Sequence, residues 1–228
     1  MRFSHLACVA AALLLGACST VEQPGRSSTF AAQRAPRMAV AAIMPAGILT
    51  PPPGGYEDLC GGAPELCGLA EPTAASYVEP VDRMAVLTRV NRAVNAEVYP
   101  VAASQVGSSP WSRPMLQDGV MMGDCKNYAV EKRQRLLAAG FPAQDLFYAI
   151  AYRRDVGLHA VLVAEIDGRD FVLDNRSPWV VPWSEAPYVW VKRQSSENPR
   201  AWRLAVADNR AKAVQTAALP IQDEGRMP

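Results

Sequence analysis

Cys125, His159 and Asp174 follow one another in the order and local settings that a thiol hydrolase uses. Asp124 stands at an N-cap position, and the residues from Cys125 to about Ala139 predict a helix. Gly140 at its end and Pro142 just beyond are stop signals. A helix N-terminus carries partial positive charge and unpaired N–H groups, which favour a thiolate and can donate to an oxyanion. His159, in Gly157-Leu158-His159-Ala160-Val161, opens a predicted strand and is the only histidine besides His5. Imidazole ordinarily titrates near neutrality, which suits it to taking a thiol proton. Asp174 ends the next strand, and the Asp167-Gly168 hairpin signal folds that strand back toward the histidine, where the carboxylate can orient the ring. Taken singly, each residue has a plainer reading: a buried small hydrophobe, a structural histidine, a turn aspartate. Their combination points to nucleophilic catalysis.

These side chains need a helical part and a strand part to position them. Asp82 caps a helix running to about Val98, with Leu87, Val90, Val94 and Val98 at helical spacing and Pro100 as its stop. Residues 46–81, with Pro51-Pro52-Pro53 and Gly54-Gly55, read as irregular, and residues 101–122 as a loop through Trp111 and Pro114. From Leu146 the period changes to two. Strands are predicted over Leu146–Arg154, Leu158–Ile166, Asp170–Asp174, Trp179–Trp183 and Tyr188–Gln194. Helices first and strands second imply an α+β domain, with helices packed on one side of an antiparallel sheet.

The chain has 228 residues, with 23 Lys+Arg against 22 Asp+Glu. That balance excludes a broad basic footprint for nucleic acid, and two histidines exclude a histidine-rich metalloprotein. Arg2 and the apolar run Leu6–Leu15 read as an export signal too short to span a bilayer. Leu15-Gly16-Ala17-Cys18 resembles a bacterial lipobox, which implies lipidation at Cys18; a plain secretory signal is the rival reading. Ser19, rather than Asp, follows the cysteine, so an outer-membrane anchor facing the periplasm is expected. The organisation expected is a signal over 1–17, a flexible tether over 18–45, the folded domain over 46–205 and a disordered tail over 206–228. In an oxidising compartment Cys60 and Cys67 read as a local disulfide, with a zinc half-site as the alternative, and Cys125 is left as the odd thiol.

Gly123-Asp124-Cys125-Lys126-Asn127-Tyr128-Ala129, with Lys132-Arg133, Leu136 and Gly140, resembles the nucleophile helix of the bacterial transglutaminase-like cysteine proteinases. His159-Ala160-Val161-Leu162-Val163 and Val172-Leu173-Asp174-Asn175 are similar to that family's histidine and aspartate strands. Val90-Asn91 with Val94-Asn95, Pro110-Trp111, the Cys60/Cys67 pair, and Tyr188 with Gln194-Ser195 extend the resemblance over about residues 46–204. It implies a papain-like fold, a Cys125-His159-Asp174 triad, and a protein or peptide substrate, with large surface adhesins as those of the best-understood members. A family-like reading also places Trp111 beside Cys125, near the oxyanion region; the alternative is a core or loop anchor. Tyr128 and Tyr188 read as core or cleft-wall residues without an assigned role.

Adhesin-cleaving members carry acidic residues after the catalytic cysteine and before the tryptophan, and these support calcium binding. Lys126, Asn127 and Val101-Ala102-Ala103-Ser104-Gln105 stand at those places here. A hard cation needs several oxygen ligands, which Asp124 alone does not supply, so no metal and no cofactor is expected. Two other activities remain compatible with these residues: acyl transfer of the transglutaminase type on the same triad, and a non-catalytic envelope-binding module.

Overall fold

The computed structural model describes residues 42–68, 83–102 and 110–205. The signal, the lipobox at Cys18, most of the expected tether and the tail over 206–228 lie outside these residues. No described helix is long and apolar enough to cross a membrane.

The elements are β1 (Leu49–Thr50), α1 (Tyr56–Gly62), α2 (Pro64–Cys67), α3 (Arg83–Glu97), β2 (Val98–Pro100), β3 (Met115–Gln117), β4 (Val120–Gly123), α4 (Cys125–Ala138), β5 (Leu146–Arg153), β6 (Gly157–Ile166), β7 (Arg169–Leu173), β8 (Val181–Pro182), β9 (Val189–Gln194) and β10 (Trp202–Leu204). Seven strands form one sheet in the order β1-β10-β9-β5-β6-β7-β8, and each pairing is antiparallel. A smaller sheet, β2-β4-β3, leads into α4, with β2 parallel and β3 antiparallel to β4. The α+β expectation holds, with helices on an antiparallel sheet.

Strand alternation sorts the core into two layers. Along β5, Leu146, Tyr148 and Ile150 face the helices, where they join Leu87, Val90 and Val94 of α3 and Val130 and Leu136 of α4. Phe147, Ala149 and Ala151 face the other way, with Val161 and Val163 of β6, Val172 of β7 and Trp190 of β9. The β6–β7 turn is the expected Asp167-Gly168 hairpin, with φ of 52° and 70° at its two residues. Positive φ at both positions is what a tight hairpin turn of matching twist requires.

Several boundaries need correction. Residues 46–81 are not all irregular: Tyr56, Leu59 and Leu66 bury their side chains as α1 and α2, and Cys60 is disulfide-bonded to Cys67 across the two helices. Residues 101–122 contain β3 and β4, joined at Asp118-Gly119 with φ of 51° and 81°. The strand expected over 179–183 shortens to Val181–Pro182, and β10 was not expected. The tether also ends earlier than residue 45. Ala42 O accepts from Asp170 N, Met44 is buried, and Met44 N donates to Asp170 Oδ2 at 2.7 Å. The reason is local: Asp170 sits wholly buried in β7, its Oδ2 accepts from this strap and pairs at 3.6 Å with Arg193 Nη1, and Arg193 in turn donates to Met44 O.

Removing the disulfide by the double substitution Cys60→Ala/Cys67→Ala should lower stability by about 2–3 kcal/mol, the entropy of so short a loop in the unfolded chain. Denaturant titration of the two proteins checks this, and adding reductant to wild type should reproduce the shift.

Candidate active site

The head of α4 is held by reciprocal capping. Asp124 Oδ1 accepts from Lys126 N at 2.9 Å, and Asn127 Oδ1 reaches back to accept from Asp124 N at 2.9 Å. Gly123 makes this possible, because a Cβ there would stand 2.5 Å from Asn127 Cβ. Asn127 Nδ2 also donates to Ser112 O at 3.0 Å, anchoring the preceding loop. The cap engages the N–H groups of Lys126 and Asn127 and leaves out that of Cys125. Cys125 is a free thiol, half-buried at the first position of the helix.

His159, at the head of β6, is buried and its Nε2 lies 2.8 Å from Asp174 Oδ1. Nδ1 is then the ring nitrogen left for Cys125. The Asp174 carboxylate is itself secured. Oδ1 also accepts from Arg176 N at 3.0 Å, and Oδ2 accepts from the Tyr188 hydroxyl at 2.5 Å. Asn95 of α3 donates to the Asp174 carbonyl at 2.9 Å. The Tyr188 ring stacks on the imidazole, with centroids 5.6 Å apart and planes 29° apart. Beside this group opens a depression of about 310 Å³ lined in part by Asp174, Arg176, Trp179 and Tyr188.

The electrostatics follow from burial and pairing. Burial opposes a charged imidazole, but hydrogen bonds to Asp174 and Cys125 and their charges outweigh it, raising His159 to about 9. Burial likewise opposes the Asp174 carboxylate. The bonds from His159, Tyr188 and the Arg176 N–H overcome it and hold Asp174 down at about 2. Burial and the neighbouring carboxylate push the Tyr188 phenol up, so it stays a hydrogen-bond donor.

The structure therefore brings Cys125, His159 and Asp174 together. It places Trp111 in the aromatic core, 3% exposed, edge-on to Tyr56 at 5.6 Å and Tyr148 at 5.2 Å. These contacts are those of the core-anchor reading. Tyr128 is likewise a core residue, its hydroxyl donating to Val98 O. Sequence reading missed the part played by Tyr188 and Asn95. Asn91 and Asn95 did carry a signal, since two amides one turn apart fall beside the apolar stripe of α3.

A thiol at a helix N-terminus beside a carboxylate-bound imidazole is the arrangement of the cysteine hydrolases. The sequence profile of the bacterial transglutaminase-like cysteine proteinases (BTLCP) matches residues 46–211, and the chain belongs to that family. It is a cysteine peptidase with a transglutaminase-like α+β fold. Among solved structures the chain is similar to Legionella pneumophila LapG, at 21% identity and a TM-score of 0.43, over 59% of this chain and 75% of that one. The calcium-bound form of Legionella pneumophila LapG gives 20% identity and a TM-score of 0.43, over 63% and 83%. No curated protein matches the chain at a significant level.

The raised His159 value sets a pH dependence of stability. The folded value, about 9, exceeds the ordinary 6.5. The charged ring therefore stabilises the fold fully below about pH 6.5 and loses that contribution as pH rises through about 9. Lys132, whose amine is lowered by burial to about 7, contributes a slope of opposite sign over this range and is common to both wild type and His159→Phe. The check is therefore the difference: the margin in melting temperature of wild type over His159→Phe should shrink from pH 6 to pH 10.

Proposed function

We propose that the chain is an exported, lipid-anchored cysteine peptidase of the cell envelope, working through a Cys125-His159-Asp174 triad and a thioester acyl-enzyme. The observation that carries this reading is the buried 2.8 Å bond between His159 and Asp174, with the Cys125 thiol at the N-terminus of α4 interacting with the same imidazole. In the resting pair the thiol proton resides on His159. Cys125 Sγ attacks the carbonyl carbon of the substrate, and the oxyanion takes the unused Cys125 N–H. As the tetrahedral species collapses, the C–N bond breaks and His159 gives its proton to the leaving amine. Water then adds to the thioester with His159 as base, releasing the acid product and the thiol. Asp174 fixes the tautomer and supports the cationic ring.

The residues around the nucleophile do not fit a calcium ion. Asp124 Oδ1 is spent on the helix cap, and Oδ2 is paired with Lys126 Nζ at 2.8 Å. Among the described residues a divalent cation there would meet an ammonium group and one carboxylate, whereas it wants six or more oxygens. The activity proposed needs no metal. The substrate proposed is a protein, with a surface adhesin the leading kind by family likeness, and the export signal and Cys18 lipobox support placement at the periplasmic face of the outer membrane.

Alkylation of Cys125 by a peptide-directed electrophile, measured from pH 4 to 10, tests the triad. Wild type should react well below the range of a free thiol, and His159→Ala should lose that low-pH reactivity. Asp174→Asn should fold but slow turnover, by as much as about 10⁴-fold if its role parallels the orienting aspartate of serine proteases. Cys125→Ala should abolish turnover, and a chelator should leave wild type unchanged. A profile identical to a free thiol, indifferent to both His159→Ala and Asp174→Asn, would overturn the triad. Intact mass of envelope-extracted protein checks the anchor: a lipid-bearing chain beginning at Cys18 is expected, and Cys18→Ser should abolish it.

A further inference from the structure

Lys132 is wholly buried in the middle of α4, and among the described residues its Nζ has no hydrogen-bond partner. A buried amine in that state is destabilising, and an apolar side chain of similar length would pack there at lower cost. Its place in the fold suggests what the cost sustains. Lys132 lies seven residues beyond Cys125, about two helical turns along the same face. That helix packs against β6, which carries His159, and against α3. The charged groups around Lys132 are otherwise engaged. On its own helix Glu131 is taken by Arg113 and Arg135, and Arg133 donates to Leu146 O and Ala143 O. Helix α3, which packs against α4, carries the neutral amides Asn91 and Asn95, which donate to Ser177 O and Asp174 O and leave their Oδ1 atoms unpartnered. On the sheet side Asp174, bonded to His159, is the charge that acts on Lys132.

We propose that Lys132 is a positioning residue of the active site, its buried amine serving as the counter-charge to the Asp174 carboxylate beneath the Cys125-His159 pair. This inference rests on the triad reading. With thiolate, imidazolium and carboxylate all formed, the triad bears one net negative charge in a largely buried place, whereas with the thiol protonated it is neutral. A cation behind Asp174 therefore favours the reactive form. Burial lowers the Lys132 amine to about 7, against the attraction of Asp174. It is thus a cation at acid pH and neutral at alkaline pH. The support it gives is greatest where the thiolate is hardest to form.

The test is Lys132→Met in the full chain, with Lys132→Gln as a second uncharged variant, compared with wild type and Asp174→Asn. Removing the unpartnered amine should leave the melting temperature unchanged or higher. The acid limb of Cys125 alkylation and of kcat/KM should move up by about one pH unit, giving about tenfold slower reaction below the limb. The wild-type, Lys132→Met and Lys132→Gln profiles should converge by about pH 8.5, where Lys132 is already neutral, while Asp174→Asn stays slower throughout. A uniform loss at every pH with a lower melting temperature, or an unchanged profile in both variants, would show Lys132 to be a packing residue and overturn the proposal. If Asp174→Asn slows the reaction while both Lys132 variants match wild type, the Lys132 role alone falls. If Asp174→Asn also matches wild type, the triad reading falls and takes this one with it.

Discussion

A carboxylate taken out of water must be bonded on every side or give up its charge, and Asp174 is that carboxylate here. Its two oxygens are met by an imidazole, a backbone N–H and a phenol, and its carbonyl by an amide from α3. These donors come from β6, from the turn after β7, from the residue preceding β9 and from the helical layer. Satisfying one buried anion thus requires the sheet, its loops and α3 to close on a single point. The same closure fixes the imidazole in both direction and charge, because the ring is stacked on Tyr188 while its Nε2 is held by the carboxylate. The nucleophile is fixed independently. It depends on the local cap of α4, and the site is the place where that helix end meets the sheet.

Two other buried polar groups show the same economy. Gln194 donates to Tyr56, Cys67 and Pro199 while its oxygen accepts from Tyr148 N. It ties the disulfide-bonded α1–α2 segment to β9 and β5. Arg133 caps the carbonyls of Leu146 and Ala143 and lies over the Tyr148 ring. Such residues specify one register, because a slipped strand would strand a buried donor without its acceptor. Lys132 departs from this pattern, which makes it stand apart from its neighbour Arg133 although both are buried on the same helix.

The parts of this molecule legible in the sequence are those whose signal is local. Asp124 and Gly140 bracket α4, and Asp167-Gly168 turns β6 into β7; both rest on backbone conformations that few residues adopt. Since Cys125, His159 and Asp174 each ride on such an element, the site followed. The same dipeptide at Asp118-Gly119 turns β3 into β4, yet those strands are short and largely exposed, without the alternation that marks a half-buried strand. Helices α1 and α2 are hidden by their glycines and proline; their order comes from a disulfide and from packing against distant residues. Tyr188 stood out only through the family resemblance, and nothing local assigned it a role. Its function arises where the segment before β9 passes over β6, and no spacing along the chain records that meeting.

The pairing of β1 with β10 sets Leu49 opposite Arg203, so the first and last strands of the domain lie side by side. Gly47 N and Leu204 N exchange further bonds with this pair through Leu204 O and Ile48 O. The seam joins the outermost strands, in chain order, of the described residues, while the Ala42–Met44 strap before it runs across to Asp170 of β7. A short bridge between Ala205 and Gly47, with new ends opened at a surface turn such as Asp118-Gly119, would keep this seam but cut off the strap on which buried Asp170 relies. The seam would stay zipped by its own partners, while the chain would run from β4 and α4 through the sheet to β10 and then back through β1 to β3.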